Sequence, residues 1–222
     1  MGTHCFQELA VAGLVRSATI PPVKPLPLLS LLLLLAACGP DVPNLDSPGR
    51  TIVCLGDSIT SGVGAEPAQP YPGLLAEKLG VEVINAGVPG DTSEDGLARV
   101  GDVLAQDPWM VIVELGGNDI LRQVPPARSE AALRQILDRL LAARVIPVLV
   151  EIEVPFRGQY ADVFERIDDD YDIPIVEGTL GEILLDSDLK ADPIHPNAEG
   201  QKVLAEAVAD VVEPIVEARR KR

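Results

Sequence analysis

Thr51-Ile52-Val53-Cys54-Leu55-Gly56-Asp57-Ser58-Ile59-Thr60 is the stretch on which the fold turns. Its first half is a short, apolar, β-branched run, the composition of a strand buried on both faces. The run stops at Gly56 and polar residues follow. The same pattern returns further along. Val81–Asn85 reads as a second strand and leads into Ala86-Gly87-Val88-Pro89-Gly90-Asp91-Thr92, while Trp109–Leu115 reads as a third and stops at Gly116-Gly117-Asn118-Asp119. Val145–Ile152 predicts a fourth strand and Ile173–Val176 a short fifth.

Helical patterns lie between these runs. Tyr71–Leu79 is closed by Gly80, and Ser93–Ala105 carries Leu97, Val100, Val103 and Leu104 on one face. Ser129–Ala143 repeats Leu133, Ile136, Leu137, Leu140 and Leu141 at helical spacing, and Ala198–Glu217 ends the chain as an amphipathic helix. Strands separated by helices predict an α/β fold, a parallel sheet with helices on both faces. In such a doubly wound sheet, ligands sit outside the carboxyl ends of the strands. The three loops after the first three strands therefore open on one edge and mark the candidate site.

Composition narrows the function. The 222 residues hold 18 Lys and Arg against 34 Asp and Glu, a formal charge of -16. That balance argues against a general nucleic-acid binder, which needs a basic face to displace phosphate counterions. It gives no electrostatic attraction to an anionic membrane surface either. Apolar residues at 47% and charged residues at 23% fit a globular chain.

The three cysteines, Cys5, Cys38 and Cys54, have no metal-site spacing. Cys38 ends a distinctive segment. Arg16 and Lys24 precede a run, Leu26 to Leu35, in which eight of ten residues are Leu, followed by Ala36-Ala37-Cys38. A positive flank, an apolar run and small residues form an export signal. The run is shorter than the roughly 20 residues that span a bilayer. Leu35-Ala36-Ala37-Cys38 resembles the bacterial lipoprotein signal. That resemblance implies cleavage before Cys38 and a lipid anchor on it; an ordinary secretory signal or a buried apolar helix are the alternatives. Residues 1–37 are then a signal peptide, 38–49 the lipidated Cys and a Pro- and Gly-rich tether, and 50–222 the folded domain. Gly39 rather than Asp after the cysteine resembles the sorting rule that favours the outer membrane of Gram-negative envelopes. The expected location is the cell envelope.

His195 is the only histidine after residue 37, within Asp192-Pro193-Ile194-His195-Pro196-Asn197. A lone histidine is more often a surface or satisfied core residue than a catalyst. Two prolines restrict this one, and Asp192 stands three residues before it. A serine hydrolase needs one neutral imidazole and one acid to orient it. No second His and no Cys pair accompany it, so a zinc site is not expected. A Ser in a Gly-Asp-Ser turn, such as Ser58, is otherwise a helix cap. Thr60 breaks the G-x-S-x-G pattern, so the α/β-hydrolase elbow is not supported. Cys54, inside the first strand, reads as a small core residue.

Together these blocks resemble the GDSL, or SGNH, hydrolase family. Gly56-Asp57-Ser58 resembles its first block, Asn85–Thr92 its second, Gly116–Asp119 its third and Asp192–His195 its last. Val113–Asp119 and Gly90–Ser93 are similar to the bacterial thioesterase, lysophospholipase and arylesterase group. The resemblance spans roughly residues 51–212. It implies a flavodoxin-like three-layer α/β/α sandwich with a five-stranded parallel sheet. It also implies Ser58 as nucleophile, His195 as base and Asp192 as its orienting acid. The oxyanion hole would comprise the Ser58 and Gly90 N–H groups and the Asn118 amide. Asp57 and Asp119 would bond loop N–H groups, and Asn85 would pin its own turn. Leu115, Ile120, Val154, Pro155 and Phe156 are the expected acyl-binding residues.

The expected activity is hydrolysis of carboxylic esters or thioesters, by a monomer, on a small acyl-ester or lysolipid substrate. A carbohydrate O-deacetylase of the same superfamily would share the triad but want an aromatic-lined cleft, and aromatics are 3% of the chain. A non-catalytic binding lipoprotein would normally lose Ser58, Asn118 or His195, and all three are present. The terminal Arg219-Arg220-Lys221-Arg222 reads as a solvated set of bases complementing a helix dipole.

Overall fold

Strands form where the apolar runs predict them: β1 (Thr51–Gly56), β2 (Val83–Gly87), β3 (Pro108–Glu114), β4 (Ile146–Val150) and β5 (Ile175–Val176). The computed structural model describes residues 40–66, 68–152 and 160–222. Its strands make one all-parallel sheet in the order β2-β1-β3-β4-β5. Every residue of β1, β3 and β4 is buried, as for strands covered on both faces, while edge strand β2 is half-buried. β2 starts two residues later than its hydrophobicity suggests. Its register with β1, from Ile52 opposite Val83 to Gly56 opposite Gly87, extends the strand past Asn85 to take in the small Ala86 and Gly87.

The helices among the described residues are α1 (Ser58–Ser61), α2 (Tyr71–Leu79), α3 (Ser93–Leu104), α4 (Gly117–Leu121), α5 (Pro126–Ala142), α6 (Ala161–Asp170), α7 (Thr179–Leu185) and α8 (Ala198–Arg220). From β1 the chain steps outward to β2, then reverses across β1 to β3. Right-handed crossovers must then place α2 on one face and α3, α5 and α6 on the other. The packing agrees: α3 lies on α5 and α5 on α6, whereas α2 and α7 lie on α8. The layers close over Met110 and Ile112 of β3, Ile136, Leu137 and Leu140 of α5, and Leu204, Val208 and Val212 of α8, all buried. Each such side chain contributes about 1.5–3 kcal/mol.

Two sequence readings change at the chain ends. Residues 40–49 have no helix or strand, as their prolines and glycine require, yet they are not a free tether. Leu45, Ser47 and Gly49 are buried, and the Asn44 amide donates to the Leu141 and Val145 carbonyls. The terminal bases are not all solvated either. Arg219 lies over the Trp109 ring, 4.7 Å from its centroid, and donates to the carbonyls of Ser47 (2.7 Å) and Gly49 (2.6 Å). Arg220 donates to the Leu79 carbonyl. These bases clamp the incoming segment and the end of α2 to the last helix.

Candidate active site

The sheet order reverses at β1, so β1 and β3 lie side by side with their following loops parting above them. That crevice is where a doubly wound sheet offers a ligand site. β1 ends at Gly56 because the chain folds back tightly: a Cβ there would fall 2.0 Å from Thr60 Oγ1 and 2.8 Å from the Glu114 carbonyl. Asp57 then caps α1, its Oδ1 accepting from the Ile59 N–H at 2.9 Å. The cap is thus Asp57 rather than Ser58. Ser58 occupies the first helical position with its hydroxyl free of capping, and its Oγ stands 3.0 Å from His195 Nε2.

His195 is held by its own short loop. Asp192 Oδ1 accepts the N–H groups of Ile194 (2.9 Å) and His195 (3.0 Å), and Asp192 Oδ2 lies 2.7 Å from His195 Nδ1. The His195 bond, then the Ile194 N–H, hold the Asp192 carboxyl below the usual carboxylate range. The loop is closed at its base by Ala191 N–H to the His195 carbonyl and Asn197 N–H to the Leu189 carbonyl. Asn197 then caps α8, accepting from Glu199 and Gly200. A carboxylate on Nδ1 stabilises the tautomer whose Nε2 lone pair faces Ser58.

The loop after β2 and Asn118 reach the same end of β1, through the Val88 N–H to the Gly56 carbonyl and the Asn118 amide to Asp57. Gly90 has φ +90, which favours glycine, and its loop is tied by Arg122 Nη2 donating to the Gly90 carbonyl at 2.6 Å. Neither the Ser58 nor the Gly90 N–H has a hydrogen-bond partner among the described residues. The Asn118 amide donates to Asp57 Oδ2 (2.8 Å) and to the Asp91 carbonyl (3.0 Å). Both its hydrogens therefore have acceptors, and a substrate oxygen must replace the Asp91 carbonyl to take one. The remaining polar residues of the motifs bond as expected: Asp119 Oδ2 accepts from the Ser93 N–H, and Asn85 spans from the Thr60 carbonyl to the Gly87 N–H.

The expected acyl-binding residues divide. Leu115 has no exposed surface and packs where Gly96 leaves room, a Cβ on Gly96 falling 2.2 Å from Leu115 Cδ1. It supports the site from beneath and does not line an open cleft. Ile120 is half-buried on α4. Val154, Pro155, Phe156 and Cys38 lie outside the described residues.

Residues 54–203 match the family model described as GDSL-like Lipase/Acylhydrolase. The chain belongs to that family. It is 35% identical to thioesterase 1/protease 1/lysophospholipase L1 of Escherichia coli K12 over 75% of this chain and 85% of that one. It is 32% identical to the esterase TesA of Pseudomonas aeruginosa over 75% of this chain and 90% of that one. A crystal structure of TesA superposes with a TM-score of 0.70 at 30% identity, covering 75% of this chain and 99% of its own. This GDSL-family protein is an ester-bond hydrolase.

The hydrolase builds its site with residues that the motifs do not include. Arg99 of α3 donates to Asp91 Oδ2 (2.8 Å), the Ala86 carbonyl (3.0 Å) and the Gly56 carbonyl (3.3 Å), so one guanidinium ties the ends of β1 and β2 to the Gly90 loop. Gln201 is fully buried on α8 and bridges the Ile59 carbonyl and the Tyr71 N–H. Glu114 is fully buried at the end of β3, its Oε2 accepting from the Thr60 N–H and hydroxyl. A carboxylate in an otherwise apolar strand and an amide on an apolar helix face were the available signals. Cys54 is buried and its thiol is pushed up to about 12 by burial, so it is a core residue rather than a nucleophile.

Proposed function

We propose that this enzyme hydrolyses carboxylic esters and thioesters through an acyl-enzyme on Ser58. The hydrogen-bonded series Ser58 Oγ, His195 Nε2, His195 Nδ1, Asp192 Oδ2, at 3.0 and 2.7 Å, carries the reading. His195 takes the Ser58 proton as Oγ attacks the acyl carbonyl, then gives it to the departing alcohol or thiol. Water repeats the sequence on the acyl-enzyme and restores Ser58. Asp192 keeps its charge throughout and stabilises the imidazolium. The Ser58 and Gly90 N–H groups and the Asn118 amide receive the oxyanion, each such donor contributing about 2.7–4 kcal/mol to the transition state.

The substrate chemistry follows from the rim. Val63, Val88, Leu121 and Ile194 are exposed apolar side chains on the segments that carry or flank Ser58, Gly90, Asn118 and His195. They favour an acyl ester or lysolipid over a hydrophilic substrate. All the catalytic groups come from one chain, which supports action as a monomer. By its lipoprotein-like signal the enzyme is anchored through Cys38 in the cell envelope, where envelope esters and lysolipids are its substrates. No helix among the described residues is long and apolar enough to cross a membrane. Two or three acyl chains give the stable anchoring that one does not. Labelled fatty acid should enter wild type and be absent from Cys38→Ser; a wild type that takes up no label removes the anchor and leaves the hydrolase.

A chain-length series of p-nitrophenyl esters, run beside acyl-CoA and lysophospholipid, tests the activity. Turnover with a burst of p-nitrophenol equal to one active site is expected. Absence of turnover on every member would overturn the reading.

A further inference from the structure

A pair of carboxyl groups lies beneath the proposed nucleophile, and the reaction as derived uses neither. Asp57 follows β1 and is 2% exposed; Glu114 ends β3 and is 0% exposed. The register of β1 and β3 sets Gly56 opposite Glu114, bringing both to one end of the sheet. Asp57 takes the Ile59 N–H and Glu114 the adjoining Thr60 N–H, so the two carboxyl groups share the first turn of α1. Glu114 Oε2 takes the Thr60 N–H (3.2 Å) and hydroxyl (2.7 Å), but Oε1 is buried without a hydrogen-bond donor among the described residues. Among the described residues, no Lys or Arg is ion-paired with either carboxyl. Two buried carboxylates side by side, without a cation, resist ionising together.

We propose that Glu114 retains a proton shared with Asp57, and that this pair is a positioning unit that holds the Asn118 amide at the oxyanion site. Asp57 Oδ2 is the acceptor that fixes Asn118, at 2.8 Å. With one charge on the pair, that bond is charge-assisted and strong. A second charge would stand beside the developing oxyanion and oppose it, and no charge would loosen the amide. Burial pushes both carboxyls up, Glu114 well above the ordinary range, with Asp57 adding to the effect. The other groups facing the pair do not compete for the proton. Tyr71 of α2, which meets Thr60 Oγ1 at 3.3 Å, and Cys54 of β1 are buried and neutral. His195, the one group nearby that changes charge in the proposed cycle, favours the ionised form of Asp57. Arg99 reaches only the Gly56 carbonyl in this turn.

The proposal rests on Ser58 hydrolysis for its kinetic arm but not for its spectroscopic one. Infrared spectra of wild type at neutral pH should show a buried, protonated carboxyl C=O band that is absent in Glu114→Gln. Glu114→Gln, which still donates to Asp57 and accepts from Thr60, should keep kcat within about tenfold. Glu114→Leu should lower kcat about 100-fold with KM little changed, approaching loss of one oxyanion donor. Absence of the band in wild type would overturn the proposal. So would equal kcat losses in the Gln and Leu variants, or full kcat in the Leu variant. Failure of Ser58 as nucleophile would instead appear as turnover in Ser58→Ala with the infrared band intact.

Discussion

The Gln201 side-chain amide donates to the carbonyl of Ile59 at 2.9 Å, joining the last helix to the one-turn helix that begins at Ser58. The same side chain accepts the Tyr71 N–H at 2.7 Å. One buried amide therefore sets where α1 sits relative to α2 and α8, and with it the direction of Ser58.

Gln201→Leu keeps the volume and removes both bonds. It leaves the buried Tyr71 N–H unpaired and the Ile59 carbonyl with the Gly62 N–H alone, a loss of about 1–3 kcal/mol. Urea denaturation should show a lower midpoint with the slope retained. Turnover at a temperature where the variant is fully folded should fall about tenfold, because the Ser58–His195 contact loosens.

Gly56→Ala places a methyl 2.0 Å from Thr60 Oγ1 and against the Glu114 carbonyl. The backbone side of that clash cannot yield by rotamer change. Destabilisation of about 3 kcal/mol or more is expected, in the upper range of overpacking. Thermal denaturation by circular dichroism reads it directly.

Asp192→Asn alters the charge but little of the shape. It removes the acceptor that selects the His195 tautomer, so kcat should drop by about 10³–10⁴ with the fold retained. In wild type the folded Asp192 titrates below the usual carboxylate range. Its stabilising contribution is therefore complete above the unfolded carboxylate range and is lost as pH falls through the lowered folded value. Acid unfolding should accordingly begin earlier in Asp192→Asn than in wild type.

Arg219→Ala removes the contact with Trp109 and two carbonyl bonds that hold residues 47–49. A loss of about 1–2 kcal/mol is expected. Arg219 is remote from the site loops, so kcat should be unchanged in the folded enzyme. Proteolysis should cut near residues 40–49 faster than in wild type.

The fold was legible because its central strands are buried on both faces: Ile52–Leu55 and Met110–Val113 carry no polar residue to obscure them. The edge strand was less so, since Ala86 and Gly87 belong to β2 by register rather than by hydrophobicity. α1 and α4 are too short for any period, and α6 hides Val163, Phe164 and Ile167 among acidic residues. In the site, the motif residues could be named one by one. Their support is fainter: Arg99, Glu114 and Gln201 act through contacts with residues distant in sequence, and only the polarity of Glu114 and Gln201 within apolar elements marks them. Leu115 was misplaced for a related reason. Its position after β3 points to the site, but the missing side chain at Gly96 lets it sink into the core.

The account stands on Ser58 being activated by His195. Incubation with a fluorophosphonate, followed by peptide mass spectrometry, measures this most directly. Wild type should carry one adduct, on Ser58, and lose all esterase activity as it forms. Labelling should be slowed at least 10³-fold in His195→Ala, and Ser58→Ala should remain folded, unlabelled and inactive. An adduct on any other residue accompanying loss of activity, or normal turnover by Ser58→Ala, would contradict the account.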